Sequence, residues 1–443
     1  MTNLPSGGVA LRELYRRLSR NSMIVVSGTT VNAALVLGST AINARELGVA
    51  SFGTLVLMQT ALTAITGVIG FGTQQPVIML GSHARAEGST DRLELIIGQG
   101  LALDLISAIL AMTVAIVVVT LGSSLIGLPP DLRGHALIFA FAAGFSGFRT
   151  ADGVLRLFSK FGLMTAIPVF VGSLQLVVAI LFWQIDAPFV AYVWAYALFC
   201  IAPYQLQLCA SLILLARRRS RPHISFAAER IPEWRIFIAY SIDTWLTGTI
   251  DTLRNTMDSI LVGLYVSVSG AGIYHVAKQL SGPLRKATSV YAAAFFPEVA
   301  RLSAESRFED ATKILKNIIL IGIFITIFST SGAWLLGQFI LETVFGPEFA
   351  TARMTLTIMV AAAGLMIISQ SLAMYLQAFA GARYLTISYF FGILGFIAVI
   401  IPASIYFKSE GAAAAQLVFI ITVALCCATF LKGRMAPRGE VRN

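Results

Sequence analysis

The sequence predicts an all-α polytopic membrane protein, with about twelve transmembrane helices in two six-helix bundles around a central cavity. Three observations carry that expectation. Apolar runs of bilayer-spanning length recur along the whole 443-residue chain, which is 57% hydrophobic and only 12% charged; a soluble domain carries about 25% charged residues. Arginines and lysines concentrate in alternate loops. Glycines at matching places in the two halves recur at one offset. The runs are continuously apolar rather than alternating, which disfavours a β-barrel.

Taken in order, the predicted spans cover residues 22–43, 52–80, 94–120, 135–155, 164–183, 188–216, 235–265, 271–299, 313–337, 354–378, 384–406 and 411–431. An even number puts both termini on one side. With the N-terminus in the cytoplasm, the inner segments hold 23 Lys and Arg and the outer segments 4, an asymmetry that fixes the orientation by the positive-inside rule. The same rule accounts for the net charge of +10, so nucleic acid is not an expected partner. The basic stretch before Met23 reads as the anchor of a retained first span rather than as a cleaved leader.

The longest inner connection carries the run Arg217-Arg218-Arg219-Ser220-Arg221-Pro222 at the middle of the chain. It divides the protein into an N-terminal segment (1–21), a first bundle (22–216), a linker (217–234), a second bundle (235–431) and a tail (432–443). The run reads as a topology anchor, with anionic lipid headgroups as its other use. Gly53 and Gly272, Gly127 and Gly346, and Gly162 and Gly381 are each 219 residues apart, while Pro76 and Pro297 are 221 apart. Each pair occupies the same place in a six-helix unit, which predicts parallel repeats related by an axis along the membrane normal.

The charges inside the spans are the candidate functional residues. The seventh span carries Asp243, Asp251, Arg254 and Asp258. At 100° per residue, the last three fall within about 60° of one another. A charge at the bilayer centre costs roughly 2.5–3.5 kcal/mol, so these four must face protein or water. In the eighth span, Gly282-Pro283 predicts a kink with a freed carbonyl. Lys278 lies on its outer side and Arg285 and Lys286 on its inner side. With Arg254 these make four basic groups facing three carboxylates. Two readings follow: opposite charges that neutralise one another because neither is buried cheaply alone, or a polar lumen, slightly positive, that accepts an anion such as a phosphate. In the first half, Arg149 and Asp152 stand three apart and can pair, Arg149 otherwise being free for substrate. Asp104 in the third span is either an ordinary buried polar residue or a proton acceptor.

Other chemistries lack their signatures. No phosphate-binding Gly-x-x-x-x-Gly-Lys-[Ser/Thr] loop, nucleophile elbow or His-Glu-x-x-His helix occurs. Cys200, Cys209, Cys426 and Cys427 lie within apolar runs without metal-ligand spacing. No metal, cofactor or enzymatic activity is expected, and the short outer loops leave no room for a catalytic domain.

Ala44-Arg45-Glu46-Leu47-Gly48 followed by Phe52-Gly53 resembles the opening of the Wzx-type polysaccharide-biosynthesis flippases. Arg254 with Asp258, then Gly272-Ile273-Tyr274 and Ala277, resembles their seventh-to-eighth span junction. Phe345-Gly346-Pro347-Glu348-Phe349 and Gly411-Ala412-Ala413 resemble their C-terminal half. That family belongs to the multidrug/oligosaccharidyl-lipid/polysaccharide exporter superfamily. The resemblance covers essentially the whole chain. It implies flipping of a polyprenyl-pyrophosphate-linked oligosaccharide to the outer leaflet of a bacterial cytoplasmic membrane, alongside a polysaccharide polymerase and chain-length machinery. Under it, Arg254, Lys278, Arg285 and Lys286 contact pyrophosphate or sugar, with Arg149 from the other half. Asp251 and Asp258 orient Arg254 or accept sugar hydroxyls, and Asp104 takes up a proton if transport is ion-coupled, its alternative being an ordinary buried polar residue. The competing readings are a cation-coupled drug exporter, which wants a mostly acidic lumen, a peptidoglycan-precursor flippase, which is usually longer, and a membrane glycosyl polymerase or ligase.

Overall fold

The structure, a computed structural model, describes residues 7–122, 132–224, 231–305 and 307–435; Gly127, Arg230, Arg438, Arg442 and the side chain of Asp251 lie outside the described residues. The described chain is helical throughout. In order, its elements are α1 (Gly7–Ile69), α2 (Gln74–Ala86), α3 (Thr90–Gly122), α4 (Arg133–Ala143), α5 (Arg149–Leu157), α6 (Phe161–Gln184), α7 (Phe189–Arg217), α8 (Ile231–Tyr265), α9 (Val268–Leu280), α10 (Gly282–Ala304), α11 (Phe308–Ile340), α12 (Arg353–Ala380) and α13 (Ala382–Met435). A π-turn at Leu341–Phe345 and a 3-10 turn at Pro347–Ala352 join α11 to α12.

Among the described residues, seven helical stretches are long and apolar enough to cross a bilayer. Two of them, Met23–Ile69 with 47 residues and Arg383–Lys432 with 50, are twice the length one crossing needs. α1 breaks at Gly48 (φ 69°) and α13 at Lys408 (φ 54°), so each holds two spans. The three predicted spans outside those seven stretches are the fourth, split between α4 and α5, the eighth, split between α9 and α10, and the seventh, α8, which carries the charges. Twelve crossings result, as the sequence predicts.

Two breaks depart from the sequence expectation. The second span leaves the helix over 70–73, between α1 and α2, and the fourth leaves it over 144–148, between α4 and α5. Apolar periodicity runs straight through both places. Only the glycines Gly70, Gly72, Gly144 and Gly147 signal them, because glycine lowers helix propensity without changing hydropathy.

By packing, the chain forms two compact units, one of residues 1–43 and 58–257 and the other of 44–57 and 258–443. The first is built around Val77, Ile96, Ile97, Val154, Leu157, Phe158, Leu215 and Phe237, drawn from α2, α3, α5, α7 and α8. The second is built around Phe295, Val299, Tyr375, Leu376, Phe396, Ile400, Phe419 and Val423, from α10, α12 and α13. Outside that core, α11 turns Phe328 and Leu335 outward, 73% and 72% exposed. Such exposure is costly in water and neutral in lipid, whose tails are as apolar as leucine.

Within the second unit, the segment around the Gly48 break is held by residues from later in the chain. The backbone N–H of Val49 donates to Glu348 Oε2 at 3.1 Å, and Arg45 Nη1 donates to Thr343 O at 3.2 Å. The ring of Phe52 stands edge-to-face with those of Phe349, 6.0 Å away, and His275, 6.1 Å away. Gly53 and Gly272, one repeat apart in sequence, meet: a Cβ on Gly272 would lie 3.1 Å from Gly53 Cα, and a Cβ on Gly53 only 2.1 Å from Val268 O. The backbones of α1 and α9 approach this closely because both positions lack a side chain.

Candidate functional site

In the first unit, the two helix breaks are joined through one carboxylate. Asp104, on α3, is fully buried. Its Oδ1 accepts from the Thr73 hydroxyl at 2.6 Å and its Oδ2 from the Thr150 backbone N–H at 2.8 Å. Thr73 precedes α2 and Thr150 lies in the first turn of α5, so the carboxylate sits where two helix N-termini begin. Donors left unpaired there, and the positive ends of two helix dipoles, stabilise it. The other loose ends are closed by side chains. Trp245 Nε1–H donates to Val68 O at 2.6 Å, and Gln205 Nε2 donates to Phe145 O at 2.6 Å. The first part of α8 lies antiparallel against the end of α1, seated on glycines: Thr252 against Gly67 and Thr244 against Gly72.

Arg149 opens α5. Its guanidinium lies beside two glycines, with Nη2 3.5 Å from where a Cβ on Gly70 would be and Nη1 4.0 Å from the same point on Gly248. The expected pair with Asp152 does not form. Asp152 instead accepts from Arg156 Nε at 2.9 Å, one helical turn onward, and Arg149, at the first helical position, turns toward Gly70. Among the described residues, the Arg149 guanidinium donates no hydrogen bond and makes no ion pair; Asp104 is within reach of its charge but already engaged by Thr73 and Thr150. Arg254 belongs to this unit, half-buried on α8 and engaged elsewhere.

The remaining candidates lie in the second unit. Asp258 is fully buried, and Lys278 Nζ lies 2.7 Å from both its oxygens. Tyr274 donates its hydroxyl to the same carboxylate at 2.8 Å, Gln416 Nε2 donates at 3.1 Å, and the Ser259 N–H donates at 2.7 Å. A buried charge survives only with such company. The predicted kink is present at Ser281, between α9 and α10, and beside it Lys278 O accepts from Ser281 Oγ and from Arg285 Nη2, each at 2.9 Å. Lys286 is exposed and also engaged. The seven candidates therefore divide into two groups: Arg149, Asp251 and Arg254, with Asp104, in one unit, and Asp258, Lys278, Arg285 and Lys286 in the other. Sequence reasoning missed Thr73, Thr150 and Gln416, uncharged residues in apolar spans; a lone glutamine in the run after Gly411 was the available signal.

Twelve helical crossings, broken helices and buried charges in two separate units define a multi-pass membrane protein. Its fold is that of the transporters to which solved structures liken it. The lipid II flippase MurJ in an inward closed conformation superposes with a TM-score of 0.69 at 14% identity, covering 93% of this chain and 87% of the other. An inward-facing multidrug resistance MATE family transporter of the MOP superfamily gives 0.63 at 13% identity, covering 93% and 97%. The particular family is set by sequence: the profile of the polysaccharide biosynthesis protein family matches residues 18–303, and the chain belongs to that family. A curated relative is the inner membrane protein YghQ of Escherichia coli (strain K12), 22% identical over 346 residues, which cover 76% of this chain and 95% of the relative.

Proposed function

We propose that this protein flips a polyprenyl-pyrophosphate-linked oligosaccharide from the inner to the outer leaflet of the bacterial inner membrane, without enzymatic chemistry, to supply surface polysaccharide assembly. The observation that carries the reading is Arg149, a cation at the junction of two broken helices in a polysaccharide-biosynthesis family member, with its guanidinium donors unspent among the described residues. A guanidinium presents a planar fork of donors that matches a phosphate's oxygens in pairs. A prenyl tail can remain in lipid throughout; the pyrophosphate and sugars are the parts that need a polar path.

The other residues take graded roles. Arg254, Arg285 and Lys286 add positive charge for the pyrophosphate or hydroxyl contacts for the sugars, and Asp251 accepts sugar hydroxyls or orients Arg254. Lys278 and Asp258 are chiefly each other's partners and hold α8 to α9. Asp104 serves as a clamp between α2 and α5 rather than as a proton carrier. A pyrophosphate diester carries about two negative charges, and an inside-negative potential favours their outward movement by roughly 2.3 kcal/mol per charge per 100 mV. The membrane potential therefore supplies the drive, both termini lie in the cytoplasm, and a polymerase with chain-length machinery consumes the product.

The test is lipid flipping in vesicles with clamped gradients, comparing the wild type with Arg149→Ala. Flipping that follows the potential and is lost in the variant supports the proposal. Flipping that persists at zero potential and stops when a proton gradient is collapsed, or a variant that flips normally, overturns it. Drug resistance conferred by overexpression, with no flipping of lipid-linked sugars, would favour a drug exporter instead.

A further inference from the structure

At the polar end of the first unit, α2, α5 and α7 finish at one place, each with a residue in the left-handed region: Gly88 (φ 73°), Ser159 (φ 55°) and Arg219 (φ 56°). Each helix closes by the same pattern of backbone bonds, with Ser89 N–H returning to Ala84 O, Lys160 N–H to Leu155 O and Ser220 N–H to Leu215 O. Phe158, largely buried, stands between the three ends. Arg85, at the end of α2, places its guanidinium carbon 4.9 Å from the centre of the Phe158 ring, and Arg218, just past α7, places its own 4.4 Å from the same centre. Arg85 is fixed there by donating to Leu157 O.

The ring face attracts each guanidinium, but the two cations repel one another, and an anion placed beside both relieves that repulsion. The acidic groups of this face are already taken: Glu87 by Arg92, Asp152 by Arg156, Asp91 by His223 and Glu94 by the Arg221 N–H. Among the described residues, no carboxylate lies within ion-pair distance of Arg85 or Arg218. Three helix C-termini contribute about −1.5 charges together. Against them stand Arg85, Arg218 and the exposed Lys160, Arg217 and Arg219. With Asp91, whose His223 partner counts as neutral at pH 7, and Glu233, which shares Arg92 with Glu87, counted as well, the balance is still positive, by about 1.5 charges. A basic run that served only as a topology anchor would need no partner from α2 and no shared aromatic seat.

We propose that Arg85 and Arg218, arranged about Phe158, form a binding site for the phosphate of an anionic phospholipid headgroup. The site lies at the end of membrane-spanning helices, where headgroups are the abundant anions. The guanidinium donors not used on Leu157 O are free to grip phosphate oxygens, and the helix surfaces beneath carry the lipid's chains. This site is separate from Arg149 and does not rest on the proposed substrate.

The experiment uses the full-length protein in nanodiscs of phosphatidylcholine with a minor share of phosphatidylglycerol, and reads retained lipid by native mass spectrometry. The wild type should enrich phosphatidylglycerol. Arg85→Ala with Arg218→Ala should lower its apparent affinity about thirtyfold, as expected for two basic side chains at a membrane surface. Arg301→Ala, which removes an exposed arginine from the second unit, should leave it unchanged. Arg85→Lys with Arg218→Lys keeps the charge and should keep most of the preference; it stands in if the alanine variant fails to fold, and its preference then must fall when ionic strength is raised. A wild type without preference, a double alanine variant that retains it, or inorganic phosphate that displaces the lipid at equal concentration would each overturn the proposal, the last by marking a site for free phosphate.

Discussion

Lys278 Nζ lies 2.7 Å from each carboxylate oxygen of Asp258, twenty residues earlier in the chain and fully buried. Tyr274 and Gln416 add to the shell, so three helical segments, α8, α9 and the second part of α13, meet on a pair of charges that neither side could bury alone. Removing one partner of such a pair costs about 3–5 kcal/mol, because the other is stranded. Lys278→Ala is therefore expected to lower the thermal unfolding temperature of the purified protein sharply, whereas Lys278→Met combined with Asp258→Asn recovers much of it. A single variant with wild-type stability would show the pair to be dispensable.

Arg149 should behave in the opposite way. Its guanidinium is committed to no hydrogen bond or ion pair among the described residues, so Arg149→Ala removes no contact that holds the fold. The expected result is loss of surface polysaccharide in a complementation assay with an unchanged unfolding temperature. Arg149→Lys, which keeps charge but loses the bidentate fork, should restore only part of the activity. Gly248→Val, whose added carbon meets only Arg149 Nη1, at 4.0 Å, should also impair export.

Asp104 separates a clamp from a proton carrier. Both oxygens accept hydrogen bonds, from Thr73 and from Thr150. Asparagine can accept from the Thr150 N–H and donate to the Thr73 hydroxyl, which rotates to suit. Asp104→Asn is thus expected to keep the fold and flip lipid at near wild-type rate, while Asp104→Ala loses about 1.5–3 kcal/mol for each bond to the charged group. Abolished flipping in a well-folded Asp104→Asn protein would make the residue a proton acceptor.

The contact between Gly53 and Gly272 admits no side chain. Gly53→Ala would put a methyl 2.1 Å from Val268 O, a backbone atom that cannot step aside without moving α9. Gly272→Ala meets Val49 O at 2.9 Å and Gly53 Cα at 3.1 Å. Both substitutions should reduce the monodisperse yield on size-exclusion chromatography, Gly53→Ala more severely. Gly282→Ala, with nothing within 4 Å of the added carbon, is the matched control.

Much of the architecture was legible in the residues. Bilayer-length apolar runs, the segregation of Lys and Arg, and the kink at Gly282-Pro283 lead to twelve crossings and to the α9–α10 break, because hydropathy and proline chemistry act locally. The glycine offset of 219 residues did not by itself say that Gly53 and Gly272 touch, which is a fact of helix packing. The breaks in the second and fourth spans were not legible as breaks. Their hydropathy is that of a continuous helix, and what stabilises them is Asp104, some thirty residues beyond one and some forty before the other.

The sequence by itself determined that the chain lives in a membrane, how many times it crosses, and which buried charges demand explanation; each follows from transfer energies assigned residue by residue. Only the tertiary structure decided how those charges are spent. Asp258 and Lys278 lie on different helices, and their mutual neutralisation depends on the approach of α8 to α9. Arg149 had Asp152 three residues away, yet Asp152 goes to Arg156 and Arg149 turns to the gap at Gly70. Pairing is a matter of distances of a few ångströms between elements far apart in sequence, and a one-dimensional pattern carries no such distances.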